Sequence, residues 1–351
     1  MSGWKDNVRV VEAYVPGDQP DYPDMVKINT NENPYPPSPK VMEAVKNIQD
    51  SKIKLYPNFN AQVLVSALSK YHHIDEDKIF VGVGSDDVLA MAFLTFFNSK
   101  KPVLFPNITY SFYKVWAGLY QIPYETPLLD ENFRIKKEDY YKENGGVVIA
   151  NPNAPTGICE GLDFIEDILQ HNRDVVVIVD EAYVDFGGTS AKELIDKYDN
   201  LLVVQTFSKS RAMAGVRIGY CMGNKELIKA INTVKHSYNS YTMNYYSIVA
   251  GVASLSDKEY FDEKIKMVIN TRERVKKELE ELGFICTDSK TNFLFAKHKS
   301  VPAKEIFESL RSNGIFVRYF NQPIIDNYLR ISIGTDEEMD RFLDFLRKYF
   351  K

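Results

Sequence analysis

The sequence predicts an α/β protein with a large domain built on a mostly parallel sheet, a smaller α+β domain and an N-terminal arm. Three observations predict this class. Short apolar runs alternate with helical patterns between residues 40 and 255, and a long helical segment then precedes a second group of strands and helices. Some runs, such as residues 175–179, are apolar at every position, which is typical of strands covered by helices on both faces of a sheet.

The length, composition and net charge of the chain limit the classes of protein to which it can belong. The chain has 351 residues, enough for about two domains. Its net charge is -5 and it has no long basic run, so nothing favours nucleic-acid binding. The three cysteines are far apart and form no metal-ligand spacing. No signal core and no bilayer-length apolar run occurs, so we expect a soluble, cytoplasmic protein without a membrane partner.

Residues 1–39 are predicted to form an extended arm that packs with the small domain. Seven prolines forbid long helices there, namely Pro16, Pro20, Pro23, Pro34, Pro36, Pro37 and Pro39. Residues 25–29 alternate apolar and polar side chains, which predicts a short strand within the arm.

Residues 40–255 are predicted to form the large, cofactor-binding domain, and residues 256–351 the small one. In the large domain we expect strands at 78–83, 102–105, 146–150, 175–179 and 201–205, and helices at 87–97, 110–120 and 163–171. In the small domain we expect helices at 257–282, 303–313 and 336–349, and strands at 292–296, 315–318 and 328–333.

The segment from Thr206 to Arg217 is the most informative part of the chain. Lys209 follows a strand-like run and enters a loop of small residues. Most lysines are simply exposed on the surface. Here Ser208 and Arg217 could hold a phosphate beside it, and a lysine amine is the nucleophile that forms a reversible imine with an aldehyde. Such a lysine could also act as general base and acid on a substrate proton.

Asp180 follows five apolar residues and is therefore expected at the carboxyl end of a buried strand, where open α/β sheets bind ligands. A helix cap or surface turn is the ordinary alternative. A buried carboxylate there needs a cation, and a protonated pyridine nitrogen is suitable. Tyr183, three residues on, could donate to a phenolic oxygen of the same ring, or could simply belong to the core.

A glycine turn at residues 82–86 precedes a predicted helix. Amide groups at a helix N-terminus form an anion site, although an ordinary turn capped by Ser85 or Asp86 fits the pattern equally. Tyr110 lies in another strand-to-helix loop, where an aromatic ring can stack on a flat cofactor. Tyr56, in a loop of its own, is a second candidate. Either tyrosine could instead be an ordinary core or surface residue, because the chain has 22 tyrosines.

Arg330 lies within an apolar strand pattern, and a buried arginine requires an anionic partner. Its planar fork suits a carboxylate or a phosphate. Arg318, at the end of the neighbouring strand pattern, is a second candidate, with a solvated strand end as the alternative. Taken together, the lysine, the aspartate and the phosphate-binding groups are the parts that an enzyme using pyridoxal 5'-phosphate needs.

With these residues placed, the sequence resembles the fold-type-I pyridoxal phosphate aminotransferases over nearly its whole length, and among them most the histidinol-phosphate aminotransferases. The resemblance is carried by YVPG at 14–17, KINTNENPYP at 27–36, LYP at 55–57, GSD at 84–86, NITYS at 107–111, DEAY at 180–183, and by Ser208-Lys209 and Arg217.

The resemblance implies a role for each of these positions. Lys209, Asp180 and Tyr183 would hold the cofactor's aldehyde carbon, its pyridine nitrogen and its ring oxygen, and Tyr110 would stack on the ring. The cofactor phosphate would be held by Ser85, Asp86, Ser208, Arg217 and, from the other subunit of a homodimer, Tyr56. The substrate, with its phosphate, would be bound by Tyr14, Asn31, Arg318 and Arg330.

Two features depart from the family's pattern. Relatives commonly have asparagine directly before Pro-Thr-Gly, where this chain has Ala154. Either Asn153 or Asn151 would supply that amide to the ring oxygen, or Tyr183 would act alone, and Asn153 is the residue we select. The segment at 236–241 is also rich in hydroxyl and aromatic groups, which leaves imidazole and phenyl recognition open.

The resemblance implies transfer of an amino group between L-histidinol phosphate and 2-oxoglutarate, a step of histidine biosynthesis. The alternatives are an aromatic amino acid aminotransferase, which would use Arg330 for a carboxylate, and a threonine-phosphate decarboxylase. A catalytically silent sensor of the cofactor is a further alternative, but the chain has no room for an appended DNA-binding module. No metal ion is expected.

Overall fold

The computed structural model describes residues 3–14 and 17–351. The strands are β1 (Val26–Lys27), β2 (Ile79–Gly82), β3 (Val103–Leu104), β4 (Tyr124–Glu125), β5 (Gly146–Ala150), β6 (Val177–Asp180), β7 (Leu201–Thr206), β8 (Gly219–Gly223), β9 (Phe284–Cys286), β10 (Phe293–His298), β11 (Ile315–Phe316), β12 (Arg318–Tyr319) and β13 (Leu329–Ser332). The α-helices are α1 (Pro39–Lys46), α2 (Asp50–Ile53), α3 (Gln62–His72), α4 (Ser85–Phe96), α5 (Phe112–Tyr120), α6 (Leu162–His171), α7 (Lys225–Tyr238), α8 (Tyr245–Leu255), α9 (Lys258–Glu281), α10 (Ala303–Ser312) and α11 (Asp336–Tyr349).

The largest sheet of the described residues has seven strands in the order β2-β8-β7-β6-β5-β3-β4. Strand β8 runs antiparallel to both neighbours, and the other pairs are parallel. The apolar runs of β5, β6 and β7 alternate between two cores. Val147, Val177 and Val203 belong to one, and Val148, Ile178 and Leu202 belong to the other. Helices therefore cover both faces, which confirms the predicted fold class.

A second sheet of four antiparallel strands has the order β12-β13-β10-β9. Helices α9, α10 and α11 supply much of the core beside it, including Val275, Leu310 and Leu346. Helix α11 begins with a capping box, in which Thr335 and Glu338 satisfy each other's backbone N–H groups. These elements match the smaller α+β unit expected from the C-terminal third of the sequence.

The N-terminal arm contacts this smaller unit through backbone hydrogen bonds. Strand β1 pairs in parallel with β11, so that Val26 lies opposite Ile315. The next residue, Ile28, continues the contact, because its N–H donates to Phe316 and its carbonyl accepts from Ser332. The arm therefore lies along the edge of the unit that carries Arg330.

One predicted strand is corrected by the structure. Residues 315–318 were expected to form a single strand, but β11 pairs with the arm and β12 pairs with β13. The buried residue Val317 separates them. Because neighbouring residues here hydrogen-bond to different sheets, one apolar run becomes two short strands. Within the described ranges, no helix is long and apolar enough to cross a membrane.

Candidate active site

A cavity of about 150 Å³ lies at the carboxyl ends of three parallel strands. Ala150, Asp180 and Thr206, the last residues of β5, β6 and β7, all line it. This edge is where open α/β sheets place their ligands. The remaining lining residues are Ser85, Asp86, Tyr110, Pro152, Ala154, Ala182, Tyr183, Ser208, Lys209, Ala214 and Arg217.

A larger, open groove of about 610 Å³ lies elsewhere, beside β2 and between α3 and α7. Its lining mixes surface lysines, glutamates and asparagines with the outer side of β2. We place the functional site in the smaller cavity because a buried carboxylate, an amine and the N-terminus of a helix converge there. Volume alone does not distinguish a site from a surface groove.

Asp180 is buried in the floor of the cavity. Its Oδ2 accepts a hydrogen bond from the Tyr113 hydroxyl at 2.7 Å, and its Oδ1 accepts from the Ala182 N–H at 3.3 Å. No cation among the described residues forms an ion pair with it. Burial raises the pKa of Asp180 to about 6, although both hydrogen bonds act against that rise. The carboxylate therefore favours a cationic ligand.

An anion cradle occupies one end of the cavity. Helix α4 begins at Ser85, and the residues Ser85 and Asp86 of its first turn line the cavity, where a helix N-terminus favours an anion. Gly84 precedes it with a φ of 87°, and a Cβ there would meet Arg217 Nη2 at 2.4 Å. Arg217 has a φ of 58° and donates to the Ser208 hydroxyl at 3.4 Å. A non-glycine residue in this region is strained, which is typical of functional sites.

The structure refines the role of Asp86. Its carboxylate accepts a hydrogen bond from the Tyr110 hydroxyl at 2.8 Å and pairs with Arg217 at 3.3 Å. A carboxylate would repel a phosphate, so the group that Asp86 offers to an anion is its backbone N–H in the first turn of α4. Its side chain links the aromatic ring of Tyr110 to the guanidinium of Arg217.

Lys209 lies on the loop that follows β7. Its Nζ donates to the Thr30 carbonyl at 3.2 Å and lies 5.9 Å from the centre of the Tyr183 ring. The Asn33 amide donates to the carbonyls of Lys209 and Ser210, at 3.0 and 3.2 Å. The arm therefore supports the loop and directs the amine toward the cavity.

Asn31 connects the arm with Tyr183. Its side-chain amide donates to the Tyr183 hydroxyl at 2.9 Å, and its Oδ1 accepts from the Ser332 hydroxyl at 2.9 Å. The backbone of Asn31 is held in the left-handed region, with a φ of 55°. Because the Tyr183 oxygen already accepts from Asn31, its own proton is available for a ligand in the cavity.

The structure departs from the expectation for Asn153. Its amide nitrogen donates to the Ile108 carbonyl and the Thr156 hydroxyl, both at 3.0 Å, and its oxygen accepts from Thr109 at 2.8 Å. Asn151 is likewise committed to the backbone of Glu160. Ala154 lines the cavity instead. The residues before Pro155 therefore bring no amide into the cavity, and Tyr183 is the hydroxyl that lines it near Asp180.

Arg330 and Arg318 lie opposite each other on β13 and β12. The guanidinium of Arg330 donates to the Asn29 carbonyl at 2.9 Å, while its Nε is buried without a partner among the described residues. Burial lowers the pKa of Arg330, and the charge of Arg318 acts in the same direction. Two cations in proximity, one with an unused buried donor, favour an anionic ligand.

The two remaining candidates, both tyrosines, lie away from the cavity lining. Tyr14 stacks on Phe112 at 4.4 Å, while Val15 and Pro16, the next residues of the YVPG motif, lie outside the described residues. Tyr56 is 82% exposed and lies 4.8 Å from the ring of Tyr241. Tyr56 is therefore not among the residues that line its own chain's cavity.

Sequence reasoning missed Tyr113 and Thr206. Tyr113 is one of several aromatic residues in α5, and no spacing singles it out as the partner of Asp180. Thr206 is the last residue of β7 and its hydroxyl bonds to Ser208 at 3.0 Å. Its position directly before Phe207-Ser208 could have suggested that it lines the site.

A chain of buried hydrogen bonds runs behind the cavity. The His72 ring contacts the Tyr220 hydroxyl at 2.8 Å, Tyr220 donates to Gln205, and Gln205 donates to the Glu181 carboxylate at 2.8 Å. Ser190 also donates to Glu181. Burial raises the pKa of Glu181 to about 7 and lowers that of His72 to about 3. These groups hold Glu181, the residue that directly follows Asp180 at the end of β6.

The residues present fit pyridoxal 5'-phosphate. The cavity combines an amine, a buried carboxylate that is without a cation among the described residues, an aromatic ring in a strand-to-helix loop, and an anion cradle in which a Cβ at position 84 would clash with Arg217. Each of these groups matches a different part of that cofactor.

Comparisons with known proteins agree with this chemistry. The family model "Aminotransferase class I and II" matches residues 23–346. The chain is 49% identical to a histidinol-phosphate aminotransferase of Lactococcus lactis subsp. cremoris, over 99% of this chain and 98% of the relative. It is 50% identical to one of Clostridium acetobutylicum, over 98% of both chains.

The fold also matches a crystal structure of a histidinol-phosphate aminotransferase from Sinorhizobium meliloti in complex with pyridoxal-5'-phosphate. The TM-score is 0.84, with 23% identity over 92% of this chain and 91% of that one. At that identity the likeness concerns the fold alone.

Proposed function

This chain belongs to the class I and II aminotransferases, among the histidinol-phosphate aminotransferases, and from that premise we propose that it transfers an amino group between L-histidinol phosphate and 2-oxoglutarate in histidine biosynthesis. The cofactor is pyridoxal 5'-phosphate. When bound, that group supplies an aldehyde that takes up the amino group and a ring that withdraws electrons.

Asp180 keeps the pyridine nitrogen of the cofactor protonated. A buried carboxylate and a pyridinium neutralise each other, which removes the cost of leaving either charge alone in the protein. Tyr183 would donate a hydrogen bond to the ring oxygen, and Asn31 holds the tyrosine oxygen in place. The α4 N-terminus, Ser208 and Arg217 bind the phosphate.

Lys209 moves the substrate proton. Its Nζ lies near the Thr30 carbonyl and the Tyr183 ring, and the side chain lines the cavity in which a substrate would bind. It removes the proton as general base and returns it as general acid.

The unused donors of Arg330 are the observation that favours a phosphorylated substrate. The sequence identity to histidinol-phosphate aminotransferases supports the same substrate. The Arg330 fork has donors left over after the bond to Asn29, and Arg318 lies beside it on the next strand. Histidinol phosphate carries a phosphate and no carboxylate, so the two arginines bind the phosphate. Tyr14 contributes its hydroxyl from the arm.

We further propose a cytoplasmic homodimer in which Tyr56 reaches the cofactor phosphate of the other subunit. The support is its exposure in a loop that also exposes Leu55 and Phe59. The domain division at residues 39/40 and 255/256 is part of the same proposal. It is supported by the separate sheets and by the pairing of the arm with β11.

The test is single-turnover spectroscopy of the holoenzyme, mixed separately with histidinol phosphate, phenylalanine and threonine phosphate. We expect fast loss of the visible cofactor band with histidinol phosphate alone, and no such band in Lys209→Ala. A faster response to phenylalanine would assign the chain to aromatic aminotransferases. Carbon dioxide release from threonine phosphate, with the band restored, would make it a decarboxylase.

A further inference from the structure

We propose that Tyr113 is a positioning residue for the reaction, because its hydroxyl holds the Asp180 carboxylate ionised and in the one orientation in which it would pair with the pyridine nitrogen of the cofactor. The proposal rests on the function proposed above, since it concerns the group that pairs with the pyridine nitrogen. Tyr113 does not line the cavity, so it acts through Asp180 and not on the cofactor itself.

The contact joins two groups that are both shielded from water. Tyr113 is 0% exposed and Asp180 is 5% exposed. The hydroxyl donates to Asp180 Oδ2 at 2.7 Å, in the range of charge-assisted O–H···O⁻ bonds. The other oxygen, Oδ1, accepts only a long bond from the Ala182 N–H at 3.3 Å. Tyr113 is therefore the single side-chain donor that the described residues offer to this carboxylate.

The ring of Tyr113 is fixed in place by other aromatic rings. Phe105 and Tyr110 meet it edge to face, with ring centres at 5.8 and 5.7 Å. Phe93 and Trp116 lie at 6.2 Å. A ring packed in this way cannot turn its hydroxyl away from Asp180 without repacking a core. The donor is therefore preorganised before any ligand binds.

This hydrogen bond acts against the effect of burial. Burial favours the neutral carboxylic acid and raises the pKa of Asp180. Among the contributions that lower this pKa, the hydrogen bond from Tyr113 is the largest. Without that bond, more of the carboxyl group is protonated near neutral pH. A neutral carboxyl group cannot pair with a pyridinium, so both cofactor affinity and the electron-withdrawing ring would suffer.

The experiment compares Tyr113→Phe with Tyr140→Phe in full-length protein. Tyr140 is a matched control, because it is 1% exposed and its hydroxyl has no hydrogen-bond partner among the described residues. For Tyr113→Phe we expect the dissociation constant of pyridoxal 5'-phosphate to rise about 10- to 100-fold, as for loss of a hydrogen bond to a charged group. Tyr140→Phe should bind the cofactor like the wild type.

Two further readouts separate positioning from packing. The ratio of the variant's dissociation constant to that of the wild type should shrink as pH rises, because Asp180 ionises in both proteins at high pH. The kcat should fall while KM for the phosphorylated substrate changes little, because Arg330 is untouched. Adding Tyr113→Phe to Asp180→Asn should change the cofactor affinity by less than two-fold, since the negative charge that the hydroxyl stabilises is already gone.

Equal cofactor affinities for Tyr113→Phe and Tyr140→Phe would overturn the proposal, as would an undiminished effect of Tyr113→Phe on top of Asp180→Asn. A loss of affinity that is the same at every pH would also overturn it, because packing alone would then explain the result. If the wild-type protein bound no pyridoxal 5'-phosphate, the proposed function itself would fail, which is a different outcome from these.

Discussion

Replacing Arg330 tests how the enzyme recognises its substrate. The change is Arg330→Met, which keeps an unbranched apolar side chain and removes the guanidinium. In the structure this guanidinium donates one hydrogen bond to the Asn29 carbonyl, and its buried Nε has no partner among the described residues. The Phe293 and Phe320 rings lie 5.5 and 5.8 Å from it and would pack against the methionine.

The magnitude follows from the number of bonds lost. One hydrogen bond to a charged group is worth about 1.5–3 kcal/mol, and a guanidinium can make two of them to one phosphate. We expect the variant to lose about 3 kcal/mol or more of transition-state stabilisation, which lowers kcat/KM for histidinol phosphate by roughly 100-fold or more. Because burial of the charge lowers the pKa of Arg330, the apoprotein should lose little stability and could gain some.

The assay measures kcat/KM for histidinol phosphate and for unphosphorylated histidinol, in the wild type, Arg330→Met, Arg330→Lys and Arg311→Met. Arg311 is a surface arginine of α10 and serves as the control. The loss should be confined to the phosphorylated substrate, and Arg330→Lys should recover part of it because it restores the charge without the fork. An equal loss for both substrates would refute the assignment of Arg330 to the phosphate.

Three further changes test the remaining parts of the site. Gly84→Ala should weaken cofactor binding about ten-fold or more, because the new Cβ strains the backbone and displaces Arg217. A fluorescence titration measures this affinity, and an unchanged value would show that the turn at Gly84 does not bind the cofactor phosphate. Asn33→Ala should lower kcat more than cofactor affinity, because it frees the carbonyls of Lys209 and Ser210, and an unchanged kcat would contradict this. Glu181→Gln tests pH dependence. Burial raises the pKa of Glu181 from 4.5 to about 7, so its contribution to stability is complete below the lower value and is lost as pH rises through the higher one. Between pH 5 and 8 the Glu181→Gln apoprotein should therefore lose less stability in urea unfolding than the wild type, by about 3 kcal/mol at most, and an equal decline in both proteins would assign it to other groups such as Asp180.

The buried strands were the part of the fold most readily predicted. Residues 146–150 and 201–205 are apolar at nearly every position, and β5 and β7 begin where the pattern begins. Strand β8 was missed, because residues 219–223 contain two glycines and a tyrosine and show no apolar run. Its place is set by pairing with β2 and β7, which is tertiary information.

The residues of the site likewise fall into those that the local sequence predicts and those that only the tertiary structure reveals. Asp180 and Lys209 were recognisable because Asp180 ends one buried strand and Lys209 comes three residues after the end of another, positions that the local sequence defines. The side chain of Asn153 could not be placed in that way, since its amide is taken up by Ile108, Thr109 and Thr156, two of them more than 40 residues away. The contact between Tyr113 and Asp180 likewise spans 67 residues and depends on how α5 packs on the sheet.

The pairing of the arm with β11 also has a consequence for folding. Val26 meets Ile315, and the N–H of Asn31 donates to Ser332 across 301 positions of the chain. Contacts of such sequence separation form late, because the entropy of closing the loop is lost before the contact is made. On the ribosome, the segment that supports Lys209 therefore has no partner strand until nearly the whole chain has been synthesised. All residues that line the cavity lie between positions 85 and 217, so they are synthesised before the arm can pair with β11 and hold the Lys209 loop in place.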